Sequence, residues 1–247
     1  MHSALATRHL LQTKLISVMP RNRILAEMPE GDLNELLQHA ELVDLPHKKV
    51  LFDPYKRIEN VYILEQGVAS IVSVFSDASA VETATVGNEG MVGLAIFLDT
   101  DRSAGHAFMQ VAGSGYRLPA EDFRRMVSDM PQLRESLNHY TQALLTLVAQ
   151  SSACNRKHSI EERCARWLLM THDRVRRTDF RLSHEFLAVM LGTRRPTVTV
   201  AARALQQAGL ITYTYGRVTV LDRKGLERAA CPCYGIIRAQ FDRVIDA

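Results

Sequence analysis

Apolar positions along this chain recur with two different periods, and the switches between them mark its parts. Between Asn22 and Leu45, Ile24, Leu25, Met28, Leu33, Leu36 and Leu37 fall at helical spacing, with Pro29 able to open the second of two short helices. From about Val43 to Pro119 the pattern becomes short and β-rich, in the runs Lys49 to Phe52, Asn60 to Leu64, Ala69 to Phe75, Ala80 to Val86 and His106 to Ala112. Glycines at 67, 87, 90, 93, 113 and 115 punctuate them, which predicts a small barrel or jelly roll. A short helix follows over Asp122 to Met130. From Leu133 the steps alternate between four and three through Leu137, Tyr140, Leu144, Leu147 and Ser151. That seam suits packing against a second copy of the chain. A further helix is expected from Ser159 to Val175, where Ser159 and Glu162 fit a capping box and Trp167 has the place of a core or interdomain residue.

The stretch Phe180 to Val220 carries the densest signal. Ser183 opens a short helix with Phe186, Leu187 and Met190 on one face, and Gly192 ends it. Thr193 is expected to cap a second helix with Val198, Ala201, Ala202 and Leu205 inward, until Gly209. This arrangement is a helix-turn-helix. Arg194, Arg195, Thr197 and Thr199 then lie at the exposed N-terminal end of the second helix, where side chains enter a major groove and backbone amides face phosphate. Arginine can donate two hydrogen bonds to a guanine edge, and threonine offers a hydroxyl or a methyl. Pro196 is tolerated because a first-turn amide has no helical acceptor. Ile211 to Tyr215 and Arg217 to Leu221, joined across Gly216, make a wing from which Tyr213, Tyr215 and Arg217 are expected to approach the DNA backbone. Ser183 joins this DNA-binding set.

Charge supports that placement. The net charge is only +3, yet the interval Arg156 to Arg228 holds 15 Lys and Arg against 7 Asp and Glu. The excess of phosphate-attracting charge therefore sits with the proposed reader. No apolar run is long enough to span a bilayer and no signal peptide is evident, which places the chain in the cytoplasm with no membrane partner. The cysteines are Cys154, Cys164, Cys231 and Cys233. Cys231-Pro232-Cys233 supplies two close thiols, fewer than zinc or an iron–sulfur centre requires, so no metal is expected. His184 and Glu185 lack a third catalytic group, so the chain is not expected to be an enzyme.

The order of these parts resembles the Crp-Fnr family of bacterial transcription regulators. The most specific segments are SIEERCARWLL, then RLSHEFLAVMLGTRRPTVTVAARALQQAGLI, then GRVTVLDRKGLE. The resemblance implies an α+β chain: an N-terminal cyclic-nucleotide-binding-like β-roll (22–132), a dimerisation helix and joint (133–158), a C-terminal winged helix-turn-helix (159–230) and a tail (231–247). It also implies a homodimer on a two-fold symmetric double-stranded DNA site, with RNA polymerase and a small effector as further partners.

Arg195 matches the family's base-reading arginine, whereas Arg194, Pro196 and Val200 replace its usual serine, glutamate and later arginine. In the roll, Gly93 matches the first residue of the family's ribose-binding glycine–glutamate pair, and Arg102 with Ser103 matches the phosphate-binding pair. Leu94 stands where the ribose-binding carboxylate belongs and cannot accept a hydrogen bond. Cyclic nucleotide is therefore disfavoured, and the cofactor or signal is left open. The competing expectation is a signal-binding module whose winged domain contacts a protein.

Overall fold

The computed structural model describes residues 19–77 and 79–245. Two short helices, α1 (Arg23–Ala26) and α2 (Glu30–His39), lead into a six-stranded antiparallel sheet. Its strands are β1 (Glu41–Leu45), β2 (Val50–Phe52), β3 (Asn60–Val74), β4 (Ala80–Val86), β5 (Met91–Val92) and β6 (His106–Pro119), with the short helix α3 (Leu94–Phe97) before β6. The path is β1-β6-β3-β4, with β2 also on β6 and β5 on β3.

The roll differs from its sequence pattern in two ways. The runs from Asn60 and from Ala69 form one strand, paired with β6 from Asn60↔Pro119 to Val72↔His106. Register shifts between Leu64 and Ala69 bend the ladder without ending it. Gly67 has a φ of 89°, and a Cβ on Gly113 would run into the Gln66 carbonyl, so the two backbones approach here as only glycine permits. The second difference is at Glu41–Leu45, where the helical pattern gives way to a strand. These residues pair with Arg117 to Gly113, and Arg117 forms an ion pair with Glu41, so the tertiary ladder overrides the local period.

Helix α4 (Ala120–Asp129) leads into α5 (Pro131–Lys157), 27 residues long. Its expected self-pairing seam is turned inward. Leu133, Leu137, Tyr140 and Leu147 are at most 1% exposed and belong to the chain's own core, against which Leu144 also packs; Ser151 is half-buried and accepts a hydrogen bond from Arg166. Tyr140 donates to the Met91 carbonyl at 3.1 Å beneath Gly90, where a Cβ would overlap the phenol ring. The large apolar residues exposed on α5 are Leu145 and Val148, on a different face.

The C-terminal domain comprises α6 (Ile160–Val175), β7 (Asp179–Arg181), α7 (His184–Met190), α8 (Arg195–Gln207), β8 (Ile211–Thr214), β9 (Arg217–Val220) and α9 (Arg223–Ala229). Ser159 and Glu162 form the expected capping box on α6. The wing has an additional strand, with order β7-β9-β8. A last helix, α10 (Cys233–Ile245), lies along α5.

The two domains share a buried joint. Trp167 donates from Nε1 to Glu82 Oε1 at 2.7 Å, and Arg174 pairs with Glu89 at 2.8 Å with both side chains only 8% exposed. Phe108 of β6 meets Phe186 of α7 edge-on at 6.0 Å. Gln110 donates to Thr171 at 3.3 Å, and Ser70 lies 2.8 Å from Gln110 and 2.7 Å from Glu82. Among the described residues, no helix is long and apolar enough to cross a membrane.

Candidate nucleic-acid interface

The turn between α7 and α8 is built from local rules. The Ser183 hydroxyl accepts from the Phe186 amide at 3.1 Å and starts α7, while Gly192 at φ 58° takes the left-handed conformation that ends the turn. Thr193 does not cap α8, contrary to the sequence expectation. Its amide is held by the Ala188 carbonyl at 2.9 Å, and Arg194 occupies the N-cap in an extended conformation. No side chain caps this helix end, and Pro196 falls in its first turn. An uncapped N-terminus of a 13-residue helix presents amides suited to an anionic oxygen.

Val198, Ala201, Ala202 and Leu205 bury one face of α8, leaving Arg194, Arg195, Pro196, Thr197, Val200 and Arg203 exposed. Arg195 is held by Glu185 of α7 at 2.9 Å, with side chains 65% and 59% exposed. At that exposure the pair orients the guanidinium and adds little stability. Arg194 and Arg203 form no ion pair among the described residues. The Thr199 hydroxyl lies 3.0 Å from the Arg195 carbonyl and 3.0 Å from His184 Nδ1, so it is already engaged within the protein. The His184 ring stacks on Tyr213 at 4.3 Å; burial first, and then the Arg195 charge, lower its pKa.

On the wing, Tyr215 is fully exposed at a φ of 50°, the outermost point of the hairpin. Arg217 is paired with Asp179 of β7 across the ladder, and Tyr213 donates its hydroxyl to the Leu182 carbonyl. Ser183, Arg194, Arg195 and Thr197 are thus exposed on the helix pair and Tyr215 and Arg217 on the wing, while Thr199 is half-buried. Val200, already noted at the family's later arginine position, and Arg203, which the sequence reading did not single out, lie on the same exposed face. Helical spacing carries the signal for Arg203, eight residues after Arg195 and so two turns along the same face. Glu185 and Asp179, the acidic partners, come from other elements and have no local signature.

In the roll, Gly93 has a φ of 102° and begins α3, where a Cβ would press on Val61. Arg102 donates to the Tyr55 carbonyl at 2.9 Å and lies 3.6 Å from Asp101. Ser103 Oγ accepts from the Gly105 amide at 3.1 Å. The candidate effector residues therefore have protein partners of their own.

The joint also assembles a group that sequence spacing did not suggest. Cys154 and His158, one helical turn apart at the end of α5, meet Cys231 and Cys233 at the start of α10, with all four ligand atoms within 4.8 Å of one another. The Cys231-Pro232-Cys233 pair is thus completed by two residues more than seventy positions earlier. Cys231 hydrogen-bonds Cys154 and holds its thiol well below the ordinary range, opposed by burial and helped by the Arg166 charge. Cys164 lies apart in the core, and burial pushes its thiol up to about 12.

Residues 162–229 match the Crp-like helix-turn-helix domain. No curated protein matches the chain. Among solved structures it is similar to FixK2 from Bradyrhizobium japonicum, with 17% identity and a TM-score of 0.67 over 78% of this chain and 98% of that one. It is similar also to the c-di-GMP responsive global regulator CLP of Xanthomonas campestris, with 17% identity and a TM-score of 0.65 over 78% and 99% of the two chains. A Crp/Fnr-family regulator from Eubacterium rectale aligns at 16% identity and a TM-score of 0.65, over 82% of this chain and 95% of that one. At these identities the likeness establishes the fold, a β-roll, long helices and a C-terminal helix-turn-helix. Residues 162–229 thus carry a Crp-like helix-turn-helix domain, on a fold shared with solved structures that include a Crp/Fnr-family regulator.

Proposed function

We propose that the chain acts as a homodimer that reads a two-fold symmetric DNA site and that its DNA affinity is set through the β-roll. The observation that carries this reading is the exposed, uncapped start of α8, where Arg194, Arg195 and Thr197 project beside a helix terminus suited to phosphate. Arg195 is the base reader, oriented by Glu185. Arg194, Arg203, Tyr215 and Arg217 neutralise or contact the backbone, and Val200, 62% exposed, offers a surface to a thymine methyl. Thr197 chooses between base and phosphate, and Ser183 keeps a capping role at the edge of the groove.

Dimerisation is assigned to the exposed face of α5 around Leu145 and Val148, because the residues of the heptad-like seam are used inside the protomer. The signal enters the roll and is passed to the reader through the buried joint. A cleft of about 450 Å³ between the domains, lined by His47, Gln110, Ser183 and Phe186 among others, is a second place where a small effector would bear on both. RNA polymerase is the partner expected once DNA is occupied.

The test is selection of purified, effector-free protein on a randomised palindromic DNA library at several salt concentrations. One enriched two-fold motif, bound with a steep salt dependence, supports the reading. Enrichment of a single half-site would remove the dimer from it. Absence of DNA binding at low salt, with and without candidate effectors, would overturn it.

A further inference from the structure

We infer that Cys154, His158, Cys231 and Cys233 form a tetrahedral zinc site that fastens the C-terminal tail to the joint between α5 and the DNA-reading domain. Two of the ligand separations are close to those around a single ion, and all four ligand atoms lie within 4.8 Å of one another. A tetrahedron of zinc ligands places sulfurs about 3.8 Å apart and sulfur about 3.6 Å from nitrogen. Here Cys154 Sγ and Cys231 Sγ are 3.4 Å apart, and Cys233 Sγ is 3.5 Å from His158 Nδ1. Ligands of an iron–sulfur cluster, which bind separate irons, would be spread more widely. Three sulfurs and one imidazole are also the donors that borderline-soft zinc favours, and one donor set of its closed structural sites.

Charge gives a second, independent reason. Arg166 is 6% exposed and Arg163 is half-buried, and both guanidinium groups lie within electrostatic reach of Cys154 and Cys231. Neither forms an ion pair with a carboxylate among the described residues, and the Arg166 charge bears on the buried Glu82 as well as on the cysteines. Each has a buried Nε without a hydrogen-bond partner. Arg163 otherwise donates to the Leu191 carbonyl, and Arg166 to Ser151 at 3.3 Å. Buried cations require a counter-charge. Four neutral groups or a disulfide would provide none, whereas a zinc ion with three thiolates and a neutral imidazole carries one net negative charge. Gln150 Nε2 donates to Cys233 Sγ at 3.1 Å, the kind of outer contact that steadies a bound thiolate. Binding involves no oxidation: each thiol yields its proton to solvent and its sulfur lone pair to the ion.

The position assigns the ion a task. His158 is the C-cap of α5 and is followed directly by Ser159, the N-cap of α6, so the ligands grip the connection through which the two parts of the chain are joined. Occupancy would fix the approach of α6 to α5 and hold α10 in place.

The experiment uses the full chain, purified under reducing conditions without a histidine tag, with metal content measured after dialysis against a mild chelator. About one zinc per chain is expected. Cobalt exchanged into the site should give thiolate-to-cobalt charge transfer and the visible bands of a tetrahedral ion. Cys231→Ser with Cys233→Ser should lose the metal, and Cys164→Ser should keep it. Chain that is metal-free, and that takes up no zinc when it is supplied, would overturn the assignment without recourse to any variant. So would an intact mass lower by two hydrogens, the sign of a Cys154–Cys231 disulfide. An effect of chelation on DNA affinity rests on the regulator reading above; metal content does not, so the two can fail separately.

Discussion

The indole N–H of Trp167 donates to the carboxyl of Glu82 at 2.7 Å, joining α6 of the reader to β4 of the roll. Burial is the main reason that the Glu82 pKa rises to about 7, against the opposing effects of Ser70, Trp167 and two arginines. The Ser70 hydroxyl and the Trp167 indole both donate to this carboxyl and favour its ionised form, so the rise comes from burial in spite of them.

Stability of the joint should therefore depend on pH in a direction opposite to that of most carboxylates. Because the folded value lies above the ordinary 4.5, the contribution of Glu82 is fully present below about 4.5 and is lost as pH rises through about 7. The change is on the order of 3 kcal/mol, set by the shift. Denaturant unfolding at several pH values should show this loss in the native chain and not in Glu82→Gln. Trp167 is the single tryptophan, so its emission should titrate in the same window.

Substitutions on α5 should separate the two faces of that helix. Leu147→Ala opens the chain's own core and should cost about 2–5 kcal/mol of protomer stability. Leu145→Glu should leave the circular dichroism of the folded chain unchanged and dissociate the dimer in analytical ultracentrifugation. A dimer that survives Leu145→Glu together with Val148→Glu would place the interface elsewhere.

Arg195→Ala should lower discrimination between the selected DNA and a scrambled one by about 1–3 kcal/mol. Arg203→Ala should weaken binding to both alike and reduce the slope of log affinity against log salt by about one. Titrations at two salt concentrations distinguish the cases.

Gly90→Ala should destabilise the roll by about 1–3 kcal/mol, since the added methyl overlaps the buried Tyr140 ring. Adding Tyr140→Phe should recover little, because the ring atoms that collide remain. A melting temperature equal to that of the native chain would show that α5 can withdraw from β5 at small cost.

The helix-turn-helix was legible because its signals are local: a capping serine, a glycine at the turn, and apolar residues one turn apart. Long helix α5 was legible as a helix but not in its orientation. Alternating steps of four and three identify a buried stripe, and nothing in that periodicity distinguishes a partner's surface from the protein's own roll; here Gly90 and Met91 receive Tyr140. The strand at Glu41–Leu45 was hidden for a similar reason, since its ladder partners lie 68 to 76 residues away. The same separation concealed Cys154 and His158 from the Cys231-Pro232-Cys233 pair. Arg195 could be chosen from sequence, while the carboxylate that holds it could not, because Glu185 reaches it across a turn.

Strand β7 follows closely on α6 and pairs with β9, so the wing shares a sheet with the chain that leaves the Trp167 helix. The wing that ends at Tyr215 is connected through that sheet to the helix whose Trp167 meets Glu82. If a signal at the roll alters the grip on DNA, thermodynamic reciprocity requires that DNA alter the grip on the signal by the same factor. Occupied operator sites would then act as reservoirs that retain the signal.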